Sequence, residues 1–453
     1  MAEERRSNDA ERIRAYLDAV ARREAAAVEA KGLEKFVRLK IQELYWTVSR
    51  LLGTLHAKLF PNADAPGGPP NWARAEADVF PETLTTRPRM LFDMTSALRS
   101  GKNTGIQRVV REIARHGFEL GLCIPVAIHE GALHAYYSHP RAPEKVAIED
   151  GDVFVMLDAS WNHLDEYPPI VEQIKAKGGA AIVCLHDILP ILYPAAFSPP
   201  VAQRFEAWMQ QIVLQSDGVI ANSRATAESL RDYLVTSGQG RKGYPIGWWR
   251  LGDDFSSSQT GEASRLAQRL AHGRPYFLSV GTIEPRKGHP VALDAMETLW
   301  ARGLDAALVI VGARGWGMRH FERRMVRHPE FGKRLFWLAD ASDADLALLY
   351  RHARATVLAS AAEGFGLPIV EAARYATPVI ASDIPVFRET AGDSATYFRL
   401  LDSDALAQAL DQALDQALIE RPRPSTLAPM SWRDSAARLL TMARDGSYQT
   451  KLD

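Results

Sequence analysis

ATVLASAAEGFGLPIVEAARYATPVIASD, residues 355–383, decides how the chain reads. An apolar run ends near Ser360, a loop with two glycines follows, and Pro368 stands where a helix begins. Proline suits that place because its fixed φ fits the first turn, where its missing N–H is not needed. A second apolar run, PVIASD, comes after the helix. Strand, loop, helix and strand in that order form the unit of a parallel, doubly wound sheet. Gly364 and Gly366 let the backbone turn tightly and approach a ligand closely. The free N–H groups at the helix start, with the positive end of its dipole, suit phosphate or sugar oxygens. Glu363 precedes the helix and Glu371 lies within it. One carboxylate thus faces the ligand of the loop, and the other reaches along the same side to accept ribose hydroxyls.

Upstream, YFLSVGTIEPRKGHP (276–290) delivers Gly281 and Thr282 at the end of an apolar strand and sets Arg286 and Lys287 before a helix near Pro290. An isolated Arg-Lys pair reads as a solvated basic turn, but the glycine loop in the same domain changes that. A fixed cation pair at the carboxyl end of a strand matches a diphosphate. The negative charge of a diphosphate grows as the sugar leaves, so such cations favour the transition state over the ground state.

The alternation extends in both directions. RMLFDM, DVFVMLD, AAIVCLHD and GVIAN recur with helical segments over 89–255, and PYFLSVG, AALVIVG, RLFWLAD, ATVLAS and PVIASD over 272–428. The expectation is an α/β protein of two doubly wound, Rossmann-like domains facing a cleft, with 256–271 as the interdomain linker and 429–453 as a terminal segment. Ligands of such open sheets sit beyond the carboxyl ends of the strands. Residues 1–60 read as a helical extension, with Val37, Ile41, Leu44, Val48, Leu51, Leu55 and Leu59 on one stripe. The Pro- and Gly-rich residues 61–88 read as a linker.

Composition bounds the partners. The 453 residues carry a formal net charge of −1, with 47% hydrophobic and 24% charged residues. That is ordinary for a globular enzyme and gives no global field for nucleic acid, so any anion site is local. Cys123 and Cys184 sit in apolar runs and read as buried thiols in a reducing compartment. The charged N-terminus lacks the apolar core of a secretion signal, and no run of about 18 apolar residues appears, so the expected location is the cytoplasm. Between Lys31 and Phe60, Lys31, Lys35, Arg38, Lys40, Arg50 and Lys58 outnumber Glu34 and Glu43. That stretch suits packing on the catalytic domains first, and pairing with a subunit or contact with an anionic membrane surface next. Asp253 and Asp254 read as a polar loop rather than a metal site. His186, at the end of AAIVCL, reads as structural when taken alone.

Taken together, GTIEPRKG, VGARGWG, EGFGLPIVEA, SWRDSAARLL, NTGIQRVVREIA and VCLHDILP make residues 89 to about 445 resemble a retaining glycosyltransferase of the GT-B fold, in glycosyltransferase family 4 with its mannosyltransferase-like members. The resemblance implies site roles. Arg286 and Lys287 hold the donor diphosphate, and Glu363 lies near the donor sugar. The backbone of Gly364, Phe365, Gly366 and Leu367 cradles phosphate and sugar, and Glu371 binds ribose. Gly105 faces the donor from the first domain, and His186 lies near donor sugar and acceptor. Asp93, Asp158 and Trp161 are expected to line the acceptor wall. Many members carry Arg directly after the glycine matching Gly281; Thr282 stands there, and Arg286 is the residue available to supply the charge. The resemblance further implies a nucleotide diphosphate sugar as co-substrate, with GDP-mannose first because of VGARGWG. It implies a glycan or lipid-linked acceptor, no metal, no other cofactor, and a helix over Ser431–Ala443 that returns to the first domain. A peripheral place at the inner face of a membrane would follow from a lipid-linked acceptor. A nucleotide-sugar epimerase of similar fold and a non-catalytic sugar-nucleotide-binding subunit remain the alternatives.

Overall fold

Runs such as Val153–Met156 and Ala355–Leu358 are buried at every position, as strands covered on both faces of a parallel sheet must be. The computed structural model describes residues 2–29, 88–100, 105–135, 144–254, 262–416 and 430–452. The runs assemble two sheets. The first has nine strands: β1 Met90–Asp93, β2 Ile124–His129, β3 Ala132–Ala135, β4 Glu144–Val146, β5 Val153–Met156, β6 Ala180–Leu185, β7 Gly218–Ala221, β8 Pro245–Trp248 and, from the far end of the chain, β15 Thr450–Lys451. The second has six: β9 Tyr276–Val280, β10 Ala307–Val311, β11 Leu335–Leu338, β12 Ala355–Leu358, β13 Val379–Ser382 and β14 Ala395–Phe398.

Their orders are β15-β8-β7-β6-β5-β1-β2-β3-β4 and β11-β10-β9-β12-β13-β14. The second sheet is parallel throughout. The first is parallel from β8 to β2, with antiparallel β3, β4 and β15 at its edges. In each sheet the chain starts in the middle, builds one way, and returns to build the other: β1 lies between β2 and β5, and β9 lies between β10 and β12. The crevice at such a reversal is where open α/β sheets hold ligands. The loops that follow β6 and β7 meet the loop that follows β12, so the two carboxyl-end faces look at each other.

The helix Trp432–Asp445 packs on the helix Gly105–Glu119 of the first domain, burying Trp432, Leu439 and Leu440 with Val109, Val110 and Ile113. Asp253 and Asp254 hold its start. Asp254 Oδ1 accepts from the Trp432 N–H at 2.6 Å, Asp253 Oδ2 accepts from the Met430 N–H at 3.0 Å, and the Asp253 N–H donates to the Met430 carbonyl at 2.8 Å. Carboxylates are favoured there because the first N–H groups of a helix lack internal partners.

One sequence expectation needs amending. Within the span read as interdomain linker, Arg265–Ala271 is a helix capped by Ser264, and it packs on the helix Asp343–His352 of the second domain. Its RLAQRLA spacing puts Ala267 and Leu270 on one buried face. The helical extension expected at the N-terminus is present as α1 (Ala2–Glu29). It buries Ile13, Leu17 and Val20, which recur at helical spacing, against the second domain. Its flank also touches the turn Pro194–Ala196 of the first domain, and Arg5 pairs with Asp383. The stripe read over 37–59, the basic stretch 31–60 and the linker 61–88 lie outside the described residues. Among the described residues no helix is long and apolar enough to cross a membrane.

Candidate active site

The loop after β9 closes in the short turn Pro285–Lys287, with Gly288 left-handed at its end. The loop after β12 carries Ser360 to Leu367. These loops belong to the adjacent strands at which the second sheet reverses, and they bring the expected residues together. Arg286 Nη1 lies 2.6 Å from Glu363 Oε2, and Lys287 Nζ lies 2.6 Å from Glu363 Oε1. Ser360 Oγ donates to the same carboxylate at 2.8 Å. Burial alone would raise the carboxyl pKa, but the charges of Arg286 and Lys287 with the Lys287 and Ser360 hydrogen bonds overcome it, holding Glu363 at about 2. Glu284, which sequence reading missed, pairs with Arg286 Nη2 at 2.7 Å. Arg286 Nε is buried without a hydrogen-bond partner among the described residues. Two preassembled cations at a sheet's reversal point can hold a dianion and stabilise charge that grows on it.

Close approach explains the glycines. A Cβ on Gly364 would lie 2.0 Å from the His186 carbonyl oxygen. Gly366 has φ +92°, where other residues are strained, and begins the helix Leu367–Arg374. The Gly364 carbonyl accepts from Ser223 Oγ at 2.6 Å and Thr226 Oγ1 at 3.1 Å, both of the first domain. Phe365 is buried in the first domain's core cluster, so its side chain anchors the two domains together while its backbone stays in the loop. Leu367 Cδ1 comes within 3.6 Å of where a Gly105 Cβ would stand, which sets Gly105 across the cleft from the loop.

His186 Nε2 lies 2.8 Å from the Leu157 carbonyl. A carbonyl only accepts, so Nε2 carries the proton and Nδ1 keeps its lone pair. Burial lowers the ring's pKa, which keeps it neutral and able to accept a hydroxyl proton's hydrogen bond.

Glu371 spans the cleft. Its Oε1 accepts from Arg108 Nη1 at 2.7 Å, on the helix that begins at Gly105, and its Oε2 accepts from Tyr350 OH at 2.8 Å. Sequence reading missed both partners. Arg108 looks like one solvated charge on an amphipathic helix, and nothing local ties Tyr350 to a residue in the next helix. Thr282 contributes its carbonyl oxygen to His289 Nε2 at 3.2 Å. In VGARGWG, Trp316 Nε1 donates to the Ala196 carbonyl at 2.7 Å and its ring stacks on Phe197, so this loop also closes on the first domain.

The acceptor-wall residues fall elsewhere. Asp93 and Asp158 end β1 and follow β5, but they are 0% and 2% exposed. Asp93 accepts from Thr95 Oγ1 at 2.5 Å and from Tyr167 OH at 2.8 Å, while Asp158 accepts from the N–H groups of Ala97 and Ala159. Their oxygens are committed to the fold. Burial and then the charge of Asp93 push Asp158 up to about 7, and burial raises Asp93 too. Trp161 packs against Phe205 and Trp208, 5.2 and 5.4 Å between centroids, inside the first domain. Among the described residues no group of three His, Cys, Asp or Glu side chains is placed to hold a metal ion.

Two Rossmann-like domains closing on a cation-lined reversal point define a protein of the GT-B class. The Anabaena Alr3699/HepE protein, solved in complex with UDP and glucose, has this fold: it superposes with a TM-score of 0.53 at 17% identity, covering 79% of this chain and 97% of its own. Residues 262–427 match the family model described as glycosyl transferases group 1. The serotype-specific mannosyltransferase WbdA of Escherichia coli is 33% identical over 376 residues, 78% of this chain and 46% of WbdA. The O-antigen chain mannosyltransferase RfbU of Salmonella typhimurium is 28% identical over 216 residues, 48% of this chain and 55% of RfbU. The chain spans about half the length of the curated relatives it matches.

Proposed function

We propose that this chain is a retaining hexosyltransferase that moves mannose from GDP-mannose to a glycan acceptor in the assembly of a cell-surface polysaccharide of the O-antigen kind, in the cytoplasm and without a metal ion. The observation that carries this reading is the Arg286–Lys287–Glu363 cluster at the reversal point of the second sheet. The mannosyltransferases among the relatives support the sugar, and their O-antigen role supports the pathway class. Arg286 and Lys287 take the donor's diphosphate in place of Glu363, whose carboxylate turns to the sugar, and Glu371 takes the ribose. Departure of the sugar leaves growing charge between the two cations, which lowers the barrier. The leaving phosphate helps remove the acceptor hydroxyl's proton, and neutral His186 orients that hydroxyl through Nδ1. Closed domains exclude water and limit donor hydrolysis.

The test is nucleoside diphosphate release from GDP-, UDP-, ADP- and dTDP-sugars, with and without a mannoside acceptor, beside a Lys287→Ala control. Release from GDP-mannose that falls about 100-fold or more in the control supports the reading. Release from a UDP-sugar instead changes the donor, and interconversion of nucleotide sugars without release makes the protein an epimerase.

A further inference from the structure

A cavity of about 230 Å³ opens beside the reversal point, with Glu363 but not Glu371 in its lining. Three bodies wall it: the first domain through Asp187, Tyr193 and the helix Arg224–Ser237, the second through Glu363 and the loop after β13, and α1 through Arg6, Asp9, Ala10 and Ile13. That volume is many times the roughly 10–15 Å³ that a single water needs, so it has room for a group of sugar-ring size. It also touches both halves of the reaction centre, since Glu363 lines it and Asp187 follows His186 directly.

The lining has the chemistry of a carbohydrate site. Tyr193, Leu192 and Ile384 offer apolar surface for the C–H face of a sugar. Around them stand the carboxylates of Asp9, Asp187, Glu228, Asp232 and Glu363, which accept hydrogen bonds from hydroxyls. Arg6 is the one guanidinium in the lining, and it lies 4.0 Å from both Glu228 and Asp232. Arg286 and Lys287, the cations nearest to Glu363, do not line the cavity and are committed to the reversal point. A phosphate group placed here meets five carboxylates and a single guanidinium, so like-charge repulsion disfavours it.

We propose that this cavity is the acceptor subsite, that α1 builds one wall of it, and that its acidic lining admits a neutral, hydroxyl-rich sugar and turns away a phosphorylated one. The proposal rests on the transferase reading above and names its acceptor class. It also gives α1 a role in the reaction: the helix lies outside the 262–427 family domain, yet one turn of it faces the sugar.

The experiment measures transfer from GDP-mannose, or from whichever donor the enzyme hydrolyses, to p-nitrophenyl α-mannoside and to mannose 6-phosphate. The wild type is expected to transfer to the neutral mannoside at least tenfold faster at equal concentration. Ala10→Trp fills the cavity from α1 and Ser229→Trp fills it from the opposite wall. Each is expected to raise the ratio of acceptor KM to donor KM at least tenfold, a split that mere loosening of the fold does not produce. Asp9→Lys combined with Asp232→Lys is expected to narrow the preference against the phosphorylated acceptor by about tenfold. An unchanged KM ratio in both tryptophan variants overturns the cavity assignment while donor release keeps the transferase reading standing. Equal use of the two acceptors by the wild type overturns the selectivity. A wild type that neither hydrolyses a donor nor transfers from one overturns both readings together.

Discussion

The two sheets reverse in the same way and put carboxylates at the same place, yet the two crevices have opposite electrostatics. At the β1/β5 reversal Asp93 and Asp158 are buried with hydrogen-bond donors but, among the described residues, in no ion pair, and burial raises both pKa values despite the charge of Arg99 near Asp93. At the β9/β12 reversal Glu363 is buried with Arg286 and Lys287 within hydrogen-bond reach, and its pKa drops to about 2. Burial works in the same direction in both; the cations decide the outcome. A crevice whose carboxylates are sealed by Thr95, Tyr167 and the N–H groups of Ala97 and Ala159 is a floor. One whose carboxylate holds two cations within hydrogen-bond reach is a candidate anion site.

The largest effect should come from removing the shared cation. Arg286→Met leaves Glu284 and Glu363, 3% and 8% exposed at their side chains, with Lys287 alone, and should cost about 3–5 kcal/mol of stability in urea unfolding. A loss below about 1 kcal/mol would mean that water already compensates these carboxylates, and the contrast between the crevices would collapse.

The next effect is a pH slope of opposite sign in the two crevices. Asp158 has its pKa raised from 3.8 to about 7, so the folded state binds the extra proton. Its contribution is full below about pH 4 and falls as pH rises to about 7, by on the order of a few kcal/mol. Asp158→Asn should abolish that decline, leaving the variant at least as stable as the wild type at pH 8. Glu363 runs the other way, its contribution present above about pH 4.5 and lost as pH falls toward about 2. Denaturation midpoints across pH for Asp158→Asn and Glu363→Gln read the two slopes separately, and slopes of one sign would break the comparison.

The smallest effect concerns the strut between the crevices. Arg108→Ala frees Glu371 from the first domain and should lower the donor KM by about threefold, under 1 kcal/mol for a partly exposed pair. Tyr350→Phe, which leaves the ion pair intact, serves as the comparison. A donor KM that rises in Arg108→Ala would make Arg108 a donor contact rather than a competitor for Glu371.

Much of this was legible because the signals were local. The order of strand, glycine loop and Pro-started helix sits within residues 355–383, and the rule for sheet reversals then joins it to Arg286 and Lys287, although about 76 residues intervene. What escaped depends on contacts with no local trace. Arg108 and Glu371 stand 263 residues apart. Asp93 and Asp158 are expected on the acceptor wall, and nothing in their local sequence shows that their oxygens are taken. Only Thr95, Tyr167 and the N–H groups of Ala97 and Ala159, assembled in three dimensions, show those oxygens to be spent. The short helix Arg265–Ala271 hid in a polar stretch because about two turns with two buried positions barely register as periodic.

The clamp of Asp253 and Asp254 on the helix Trp432–Asp445 has a consequence for synthesis. Ser435 Oγ bonds to the Arg250 carbonyl across 185 residues, and β15 joins β8 from still farther along. A chain emerging from the ribosome therefore exposes the edge of β8 and the bare face of the helix Gly105–Glu119 while the whole second domain is being made. The second domain, whose sheet is drawn from one uninterrupted stretch, folds in that interval. The domain translated before the other is thus the later one to be completed, and loss of the helix Trp432–Asp445 strikes it rather than the second domain.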